Sequence, residues 1–370
     1  MSARKTLCVV HNNVDDRSAI GAIAAWAVRS GLERDWEVTV VCRDLDPALK
    51  SSVSRRRLYV PPFSHLVQWS VARPTVRNAL NGWRPDAMLV YQPQLAAIAD
   101  VWHMEYLSRE ARLTKGPRRP GLRGLAEDAQ AAGVAVLEDR YIRTLPSTTR
   151  VLFCSDGLRD QFVRLFGELP NSGVLYNPAL LTPPAPGVQL PDVVRRRELT
   201  RGHDGPVVGF LGGSDPRKGG DLLVDAIARD PSLFLLHAGP RPLDDSRIAG
   251  RSRSMGHLHD VTALLDVVDV LVVPSRFEPF GLVVVEAVAR GVPALVGPGV
   301  GAGPMVVDAG VGAVWDSAMS LGPAVARAVA QRSEMADGAA RVLRSVDPAR
   351  LADQLFADLE YAAGRNRASR

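Results

Sequence analysis

The sequence predicts an α/β protein of two doubly wound parallel sheets, and three observations carry that expectation. Short apolar runs alternate with helical segments along most of the chain. The alternation breaks once, at Thr182 to Pro191, a proline-rich stretch without periodicity. The apolar run Val267 to Val273 stops at Pro274, turns through Phe277-Glu278-Pro279-Phe280-Gly281 and enters a helix, Leu282 to Arg290, closed by Gly291. The expected domains are residues 1–185 and 205–347, joined by a linker at 186–204. Residues 348–370 are expected to form a C-terminal helix that packs back towards the first domain. Two such domains place the natural ligand site in the cleft they face across.

The elements follow in order. Thr6 to His11 is a strand, a polar turn leads through Asp15 and Asp16 to Gly21, and a helix runs to Arg29. Glu37 to Cys42 is the next strand, Leu58 to Val60 a short one, and Val67 to Trp83 a helix interrupted near Pro74. Asp86 to Tyr91 is a strand, and Asp100 to His103 adjoins an element of undefined type. Met104 to Leu125, rich in Arg, Gly and Pro, reads as a loop or distorted helix, and Ala126 to Arg143 as a helix. Arg150 to Ser155, Gly157 to Phe166 and Gly173 to Tyr176 complete the first half as strand, helix and strand.

After the linker, strands are expected at Pro206 to Leu211, Leu233 to Ala238, Asp269 to Val273 and Ala294 to Val296. Helices are expected at Gly219 to Ala228 and Val261 to Asp266, with alanine-rich helices at Gly322 to Gln331 and Ala336 to Val346.

Composition narrows the function. At 370 residues, 46% hydrophobic and 23% charged, the chain is a globular protein with room for two domains. Cys8, Cys42 and Cys154 are odd in number and scattered through apolar runs, which argues for a reducing compartment and against a disulfide framework or metal site. No leader pattern and no apolar stretch of about 20 residues is seen, so a cytoplasmic location is expected. The net charge of +5 is concentrated in the first half, at Arg55-Arg56-Arg57 and Arg118-Arg119 with Arg123. Solvated loop charge is the simpler reading, and peripheral contact with an anionic membrane or an acidic acceptor is the alternative. Nucleic acid is discounted, because no aromatic interleaving or recognition motif accompanies the basic residues.

Two constellations carry chemistry. Glu278 lies in a loop above a sheet edge, and Glu286 lies about two turns further on at ~3.6 residues per turn, among Val283, Val284, Val285, Ala287 and Val288. Acceptors spaced in this way suit a ligand with two separate sets of hydroxyls. Upstream, Val207 to Leu211 runs into Gly212-Gly213-Ser214-Asp215-Pro216-Arg217-Lys218-Gly219-Gly220 and then a helix. Glycine backbone, a helix start and two cations together suit a diphosphate. Neither a P-loop spacing nor a G-x-G-x-x-G fingerprint is present.

Together these features resemble the retaining GT-B glycosyltransferases of family four, the group that includes glycogen-synthase-like, mannosyl- and glucosyl-transferring enzymes. The match rests on P-S-R-F-E-P-F-G-L-V-V-V-E-A-V-A-R-G-V-P, F-L-G-G-S-D-P-R-K-G-G-D-L-L, V-L-Y-N-P, H-A-G-P and M-G-H-L-H-D. It covers the second domain throughout and the first in outline. The resemblance implies two Rossmann-like β/α/β domains facing each other across a cleft, and a sugar moved with retention from a UDP- or GDP-sugar to a hydroxyl acceptor without a metal or other cofactor. It implies that Glu278 hydrogen-bonds the donor sugar, Glu286 the ribose, and that Lys218 with Arg217 neutralises the diphosphate. Gly256 and His257 would lie by the base. Gly21 would lie by the phosphates from across the cleft, and His103 near the donor sugar. Gly212, Gly213, Phe280, Gly281 and Leu282 would contact the nucleotide sugar.

The sequence departs from the family pattern twice. Many members carry an arginine where this chain has Gly213 and Ser214, and a Pro-Glu where it has Ala302-Gly303-Pro304-Met305. The first departure keeps open a catalytically degenerate nucleotide-binding subunit beside the transferase, and a nucleotide-sugar epimerase of the same architecture is a further alternative. Histidines 11, 65, 203, 237 and 259 read as structural or surface residues. Asp15 and Asp16 are expected to cap the helix near Gly21. Trp102, Tyr106, Arg109 and Arg112 lie where an acceptor would enter, a core role for Trp102 being equally open. A natural-product, cell-envelope, lipid-linked or small polyol acceptor remains open.

Overall fold

The computed structural model describes residues 4–59, 65–114, 121–181, 193–243, 245–258 and 260–368. The stretch Thr182 to Pro191 expected as the linker lies outside them, as do Arg118, Arg119, His259 and the side chain of Arg123. The chain divides into two compact units. One holds Met1–Leu113, Arg118–Pro178 and Pro348–Arg370, and the other Ala179–Asp347 with the short piece Thr114–Pro117.

The first unit is built on seven parallel strands, in the spatial order Ser54–Arg57, Glu37–Cys42, Thr6–Val10, Ala87–Val90, Val101–Met104, Arg150–Phe153 and Ser172–Val174. Strand order reverses between Thr6–Val10 and Ala87–Val90. The central strands are buried on both faces, as their unbroken apolar runs require. The helix Pro348–Ala368 belongs to this unit. It buries Leu351, Leu355 and Leu359, sets Phe356 edge-on against Trp36 at 5.4 Å, and accepts through Asp358 a 2.8 Å bond from Arg150.

Three expectations change here. The strand expected at Leu58 to Val60 is instead the arginine run, Ser54–Arg57. It has a single partner strand, and an edge tolerates charge that a central strand would not. Arg56 donates to the carbonyls of Leu80 (2.6 Å) and Ala79 (3.0 Å) at a helix carboxyl end and covers Trp83 at 4.9 Å, so part of the basic cluster has structural employment. The expected helix break near Pro74 is absent, because His65–Leu80 runs through it. The stretch Met104 to Leu125 contains a helix, Ser108–Leu113. Its amino end is capped from afar by buried Glu138, which accepts from Ser108 N (2.7 Å), Ser108 Oγ (3.0 Å) and Arg109 N (3.3 Å).

The second unit holds six parallel strands, ordered Ser252–Ser254, Phe234–Ala238, Val207–Leu211, Val270–Val273, Ala294–Val296 and Gly312–Val314. The order reverses between Val207–Leu211 and Val270–Val273. Phe210, Leu223, Ile227, Val272, Val325 and Trp315 belong to one core cluster. The outermost strands, Ser252–Ser254 and Gly312–Val314, have three residues each, the first without an apolar run and the second inside the short run Val311 to Trp315. Part of the expected linker is also structured, as the helix Val193–Leu199. Arg196 on this helix clamps Asp269 with bonds of 2.6 and 2.8 Å, while Asp269 accepts from Val207 N at 2.7 Å.

Candidate active site

In an open parallel sheet, the crevice for ligands lies beyond the strand carboxyl ends where strand order reverses. In the second unit that place is occupied by the loops leaving Val207–Leu211 and Val270–Val273. Backbone bonds hold them together: Arg276 N donates to the Arg217 carbonyl at 2.9 Å. Gly219 makes this approach possible. Its φ is +73°, and an added Cβ would run into the Pro274 carbonyl oxygen. Neighbouring loops join the mesh, with Gly212 N on the Ala238 carbonyl at 3.0 Å, Gly239 N on that of Gly256 at 2.8 Å, and Glu278 N on that of Gly299 at 2.9 Å.

Lys218 and Arg217 converge on Glu278. Lys218 Nζ donates to Glu278 Oε2, and Arg217 Nη1 lies 3.5 Å from the same oxygen while donating to the Phe277 carbonyl at 3.0 Å. All three side chains are partly buried. Lys218 and Arg217 face Glu278 at the start of the helix Gly220–Arg229, and half-exposed Asp215, 3.8 Å from Arg217, brings the cluster close to charge balance. Arg276 braces the loop by donating two hydrogen bonds to the Asp221 carboxylate (2.8 and 2.7 Å) and one to the Pro216 carbonyl (2.7 Å).

Glu286 stands apart. It lies on the helix Leu282–Ala289, entered through Gly281 at φ +95°. Among the described residues its carboxylate has no hydrogen-bond or ion-pair partner. Burial, and then the carboxylate of Asp260, push it up to about 7. Asp260 is itself held by Thr262 N at 2.9 Å and Thr262 Oγ1 at 2.7 Å. A half-buried acceptor without a donor is unfavourable. A pair of ligand hydroxyls would satisfy it.

The other expected residues divide between the units. Gly256 is exposed at φ +69° with open space where a Cβ would sit, and His257 beside it is exposed. Phe280 is only 2% exposed, so its ring belongs to the core, and its carbonyl accepts from Ala302 N at 2.7 Å. Leu282 opens the helix, whose first N–H groups point out of its amino end. Gly212 packs against the Lys218 stem. Gly213, the first departure, has φ +56° and abuts the Arg241 carbonyl, so a side chain on this backbone would be strained and obstructed. A guanidinium reaches Glu278 from Arg217, four residues further on, at 3.5 Å.

His103 and Gly21 lie in the first unit. His103 is 1% exposed, with Nε2 2.9 Å from the Leu175 carbonyl and Nδ1 3.1 Å from Glu105, so in this conformation the ring offers no surface to a sugar. Gly21 is buried, its N–H bonds to Ser18 Oγ at 3.1 Å, and a Cβ would crowd the Asp15 carbonyl. The helix cap expected from Asp15 or Asp16 is Ser18, while Asp15 pairs with Arg17. Trp102 is a core residue.

Arg276, Asp221 and Asp260 were not singled out by sequence. Their signals are local: an arginine two residues before Glu278, an aspartate in the first turn after the glycine loop, and an Asp-x-Thr cap.

The fold of the chain is that of GT-B glycosyltransferases. Residues 205–344, within the second unit, match the family described as Glycosyl transferases group 1. The lipopolysaccharide core biosynthesis glycosyltransferase LpsE of Rhizobium meliloti is 35% identical over 108 residues, covering 27% of this chain and 32% of LpsE. Glycogen synthase of Mycobacterium tuberculosis is 28% identical over 254 residues, covering 62% of this chain and 56% of the synthase. The chain thus spans from about a third to little more than half of the length of these relatives. Among solved structures, sucrose-phosphate synthase from Thermosynechococcus elongatus superposes with a TM-score of 0.72 at 16% identity, over 96% of this chain and 98% of that one. Anabaena HepE in complex with UDP and glucose superposes with a TM-score of 0.67 at 18% identity, over 95% and 98%. Among the described residues, no helix is long and apolar enough to cross a membrane.

Proposed function

We propose that the chain is a retaining, metal-independent glycosyltransferase that moves a sugar from a UDP- or GDP-sugar to a hydroxyl acceptor. The observation that carries this reading is the convergence of Lys218 and Arg217 on Glu278 at the strand-order reversal, with unpartnered Glu286 on the next helix. The donor's diphosphate would lie on the two cations and the amino end of the helix Gly220–Arg229, releasing Glu278 to accept from a sugar hydroxyl. Glu286 would accept from the ribose hydroxyls. The likeness of the fold to HepE, solved with UDP and glucose, supports a nucleotide-sugar donor, and the glycosyl transferases group 1 match supports transfer.

Scission of the anomeric bond sends its electron pair to the diphosphate, where preorganised cations meet the developing charge. The acceptor hydroxyl then bonds to the anomeric carbon from the leaving-group side and passes its proton to a phosphate oxygen. The first unit would take the acceptor, a natural-product, cell-envelope or polyol hydroxyl, and peripheral contact with anionic membrane belongs to the same reading. Incubating the chain with UDP-glucose or GDP-mannose and a panel of hydroxyl acceptors, with EDTA present, tests it. Release of nucleoside diphosphate with glycosylated acceptor of unchanged anomeric configuration is expected. Isomerised donor without transfer would mark an epimerase, and binding without turnover a degenerate subunit.

A further inference from the structure

A second polar cavity, of about 150 Å³, lies within the first unit at the carboxyl ends of its strands. Asn12 follows the strand Thr6–Val10, Tyr59 follows Ser54–Arg57, and Gln92 and Gln94 follow Ala87–Val90. Trp69 and Thr75 come from the helix His65–Leu80. The cavity therefore abuts the point where this sheet's strand order reverses, the counterpart of the crevice described in the second unit.

Its chemistry is specific. None of the described lining side chains is charged. Among the described residues, the amides of Asn12, Gln92 and Gln94 have no hydrogen-bond partner. Gln94 is only 3% exposed, and its Oε1 is a buried acceptor left without a donor. Such a group is destabilising unless something fills it. Thr75 Oγ1 donates to the Val71 carbonyl at 2.7 Å and keeps its acceptor capacity. Two aromatic side chains, Tyr59 (68% exposed) and Trp69, complete the lining. Arg73, beside it in sequence, is not part of the lining: its Nε donates to the Gln94 carbonyl at 2.6 Å and its guanidinium covers Tyr141.

Amides donate and accept, as hydroxyls do, and aromatic faces suit the C–H faces of a saturated ring. A cavity of this size holds roughly five water volumes at ~30 Å³ each, on the order of one six-membered ring with its hydroxyls. The lack of a cation among the described lining residues disfavours phosphate or carboxylate on the ring. We propose that this cavity binds one uncharged polyhydroxylated ring, a monosaccharide or cyclitol unit, and is the acceptor subsite of the first unit. The acceptor role rests on the transferase reading above; the binding of a neutral ring does not.

The test is ligand-observed NMR titration of the full chain with myo-inositol and glucose as neutral probes and glucose 6-phosphate and glucuronate as anionic ones. Nucleotide-sugar binding is measured in parallel. The neutral probes are expected to bind wild type, and to bind Gln94→Leu and Tyr59→Ala about tenfold more weakly or worse, while both variants bind UDP-glucose or GDP-mannose as wild type does. Tyr59 is exposed, so its variant keeps the test valid should Gln94→Leu fold poorly. Tighter binding of the anionic probes, no binding of the neutral ones, or neutral binding indifferent to both substitutions overturns the proposal. Nucleotide binding without ring binding strikes the cavity alone. Ring binding without nucleotide binding strikes the transferase reading and the acceptor role with it.

Discussion

Lys218 and Glu278, 60 residues apart in the chain, meet at the carboxyl ends of neighbouring strands, the ammonium donating to Oε2 of the carboxylate. The contact holds a cation and a carboxylate side by side, each neutralising the other. On the proposed reading a diphosphate would compete for the cation, and the freed carboxylate would become an acceptor for a hydroxyl of the donor.

Lys218→Ala removes the cation proposed to meet charge on the leaving group. The rate of nucleoside diphosphate release is expected to fall by about 10²–10³, as when other preorganised stabilising donors are removed. Slow hydrolysis of the donor, with water as acceptor, reads this without knowledge of the natural acceptor. The fold should persist, since Arg217 still lies 3.5 Å from Glu278. A rate within threefold of wild type, at about 0.7 kcal/mol or less, would not fit.

Glu286 links binding to pH. Its carboxyl titrates at about 7 in the folded chain against an ordinary 4.5, chiefly through burial. The raised value means that proton uptake favours the folded state: this stabilisation is complete below about 4.5 and is lost as pH rises through about 7. Glu286→Gln should remove that dependence and be at least as stable as wild type at pH 8. Binding runs the opposite way, because the ionised carboxylate is the better acceptor for paired ribose hydroxyls. Nucleotide-sugar affinity of wild type should climb through pH 7 and that of Glu286→Gln should stay low and flat. The phosphodiester oxygens of the donor do not titrate in this range, so parallel pH profiles for the two proteins would contradict the assignment.

Gly219→Ala tests the seating of the two loops. A left-handed non-glycine residue costs about 1–2 kcal/mol by itself, and here the Cβ also collides with the Pro274 carbonyl. Denaturant titration should show that loss or more, together with weaker nucleotide binding. Gly250→Ala is the control, because no atom lies within 4 Å of the Cβ it would add.

Phe356→Ala probes the terminal helix. Phe356 is buried against Trp36, and its truncation is expected to cost about 3–5 kcal/mol, read as a lower denaturation midpoint. A change below about 1 kcal/mol would show that the helix contributes little to the first unit.

Much of this fold was legible because buried parallel strands are unbroken apolar runs: Val207–Leu211 and Val270–Val273 fall within one residue of their expected bounds. Two strands that escaped notice are edges, Ser252–Ser254 and Gly312–Val314, each only three residues long, whereas Val101–Met104, left undefined by its sequence, is a central strand of the first sheet. The arginine strand Ser54–Arg57 is also an edge. Glu278, Lys218 and Glu286 could be picked out because glycine, proline and charge punctuate short loops. That Lys218 lies on Glu278 could not, since it depends on which strands are neighbours. The burial of His103 depends on Glu105 and the Leu175 carbonyl, a tertiary arrangement without periodicity.

Isothermal titration of the full chain with UDP-glucose and GDP-mannose, in EDTA at pH 8, tests the central claim most directly. Wild type should bind one of them, and Lys218→Ala and Glu286→Gln should each bind it about 10- to 100-fold more weakly, the loss of one charged hydrogen bond of about 1.5–3 kcal/mol. Arg247→Ala, an exposed substitution whose side chain pairs with Asp245 and Asp225, should bind as wild type does. Equal affinity across all four proteins, or no binding of either donor by wild type, would contradict a nucleotide-sugar site at Lys218, Glu278 and Glu286.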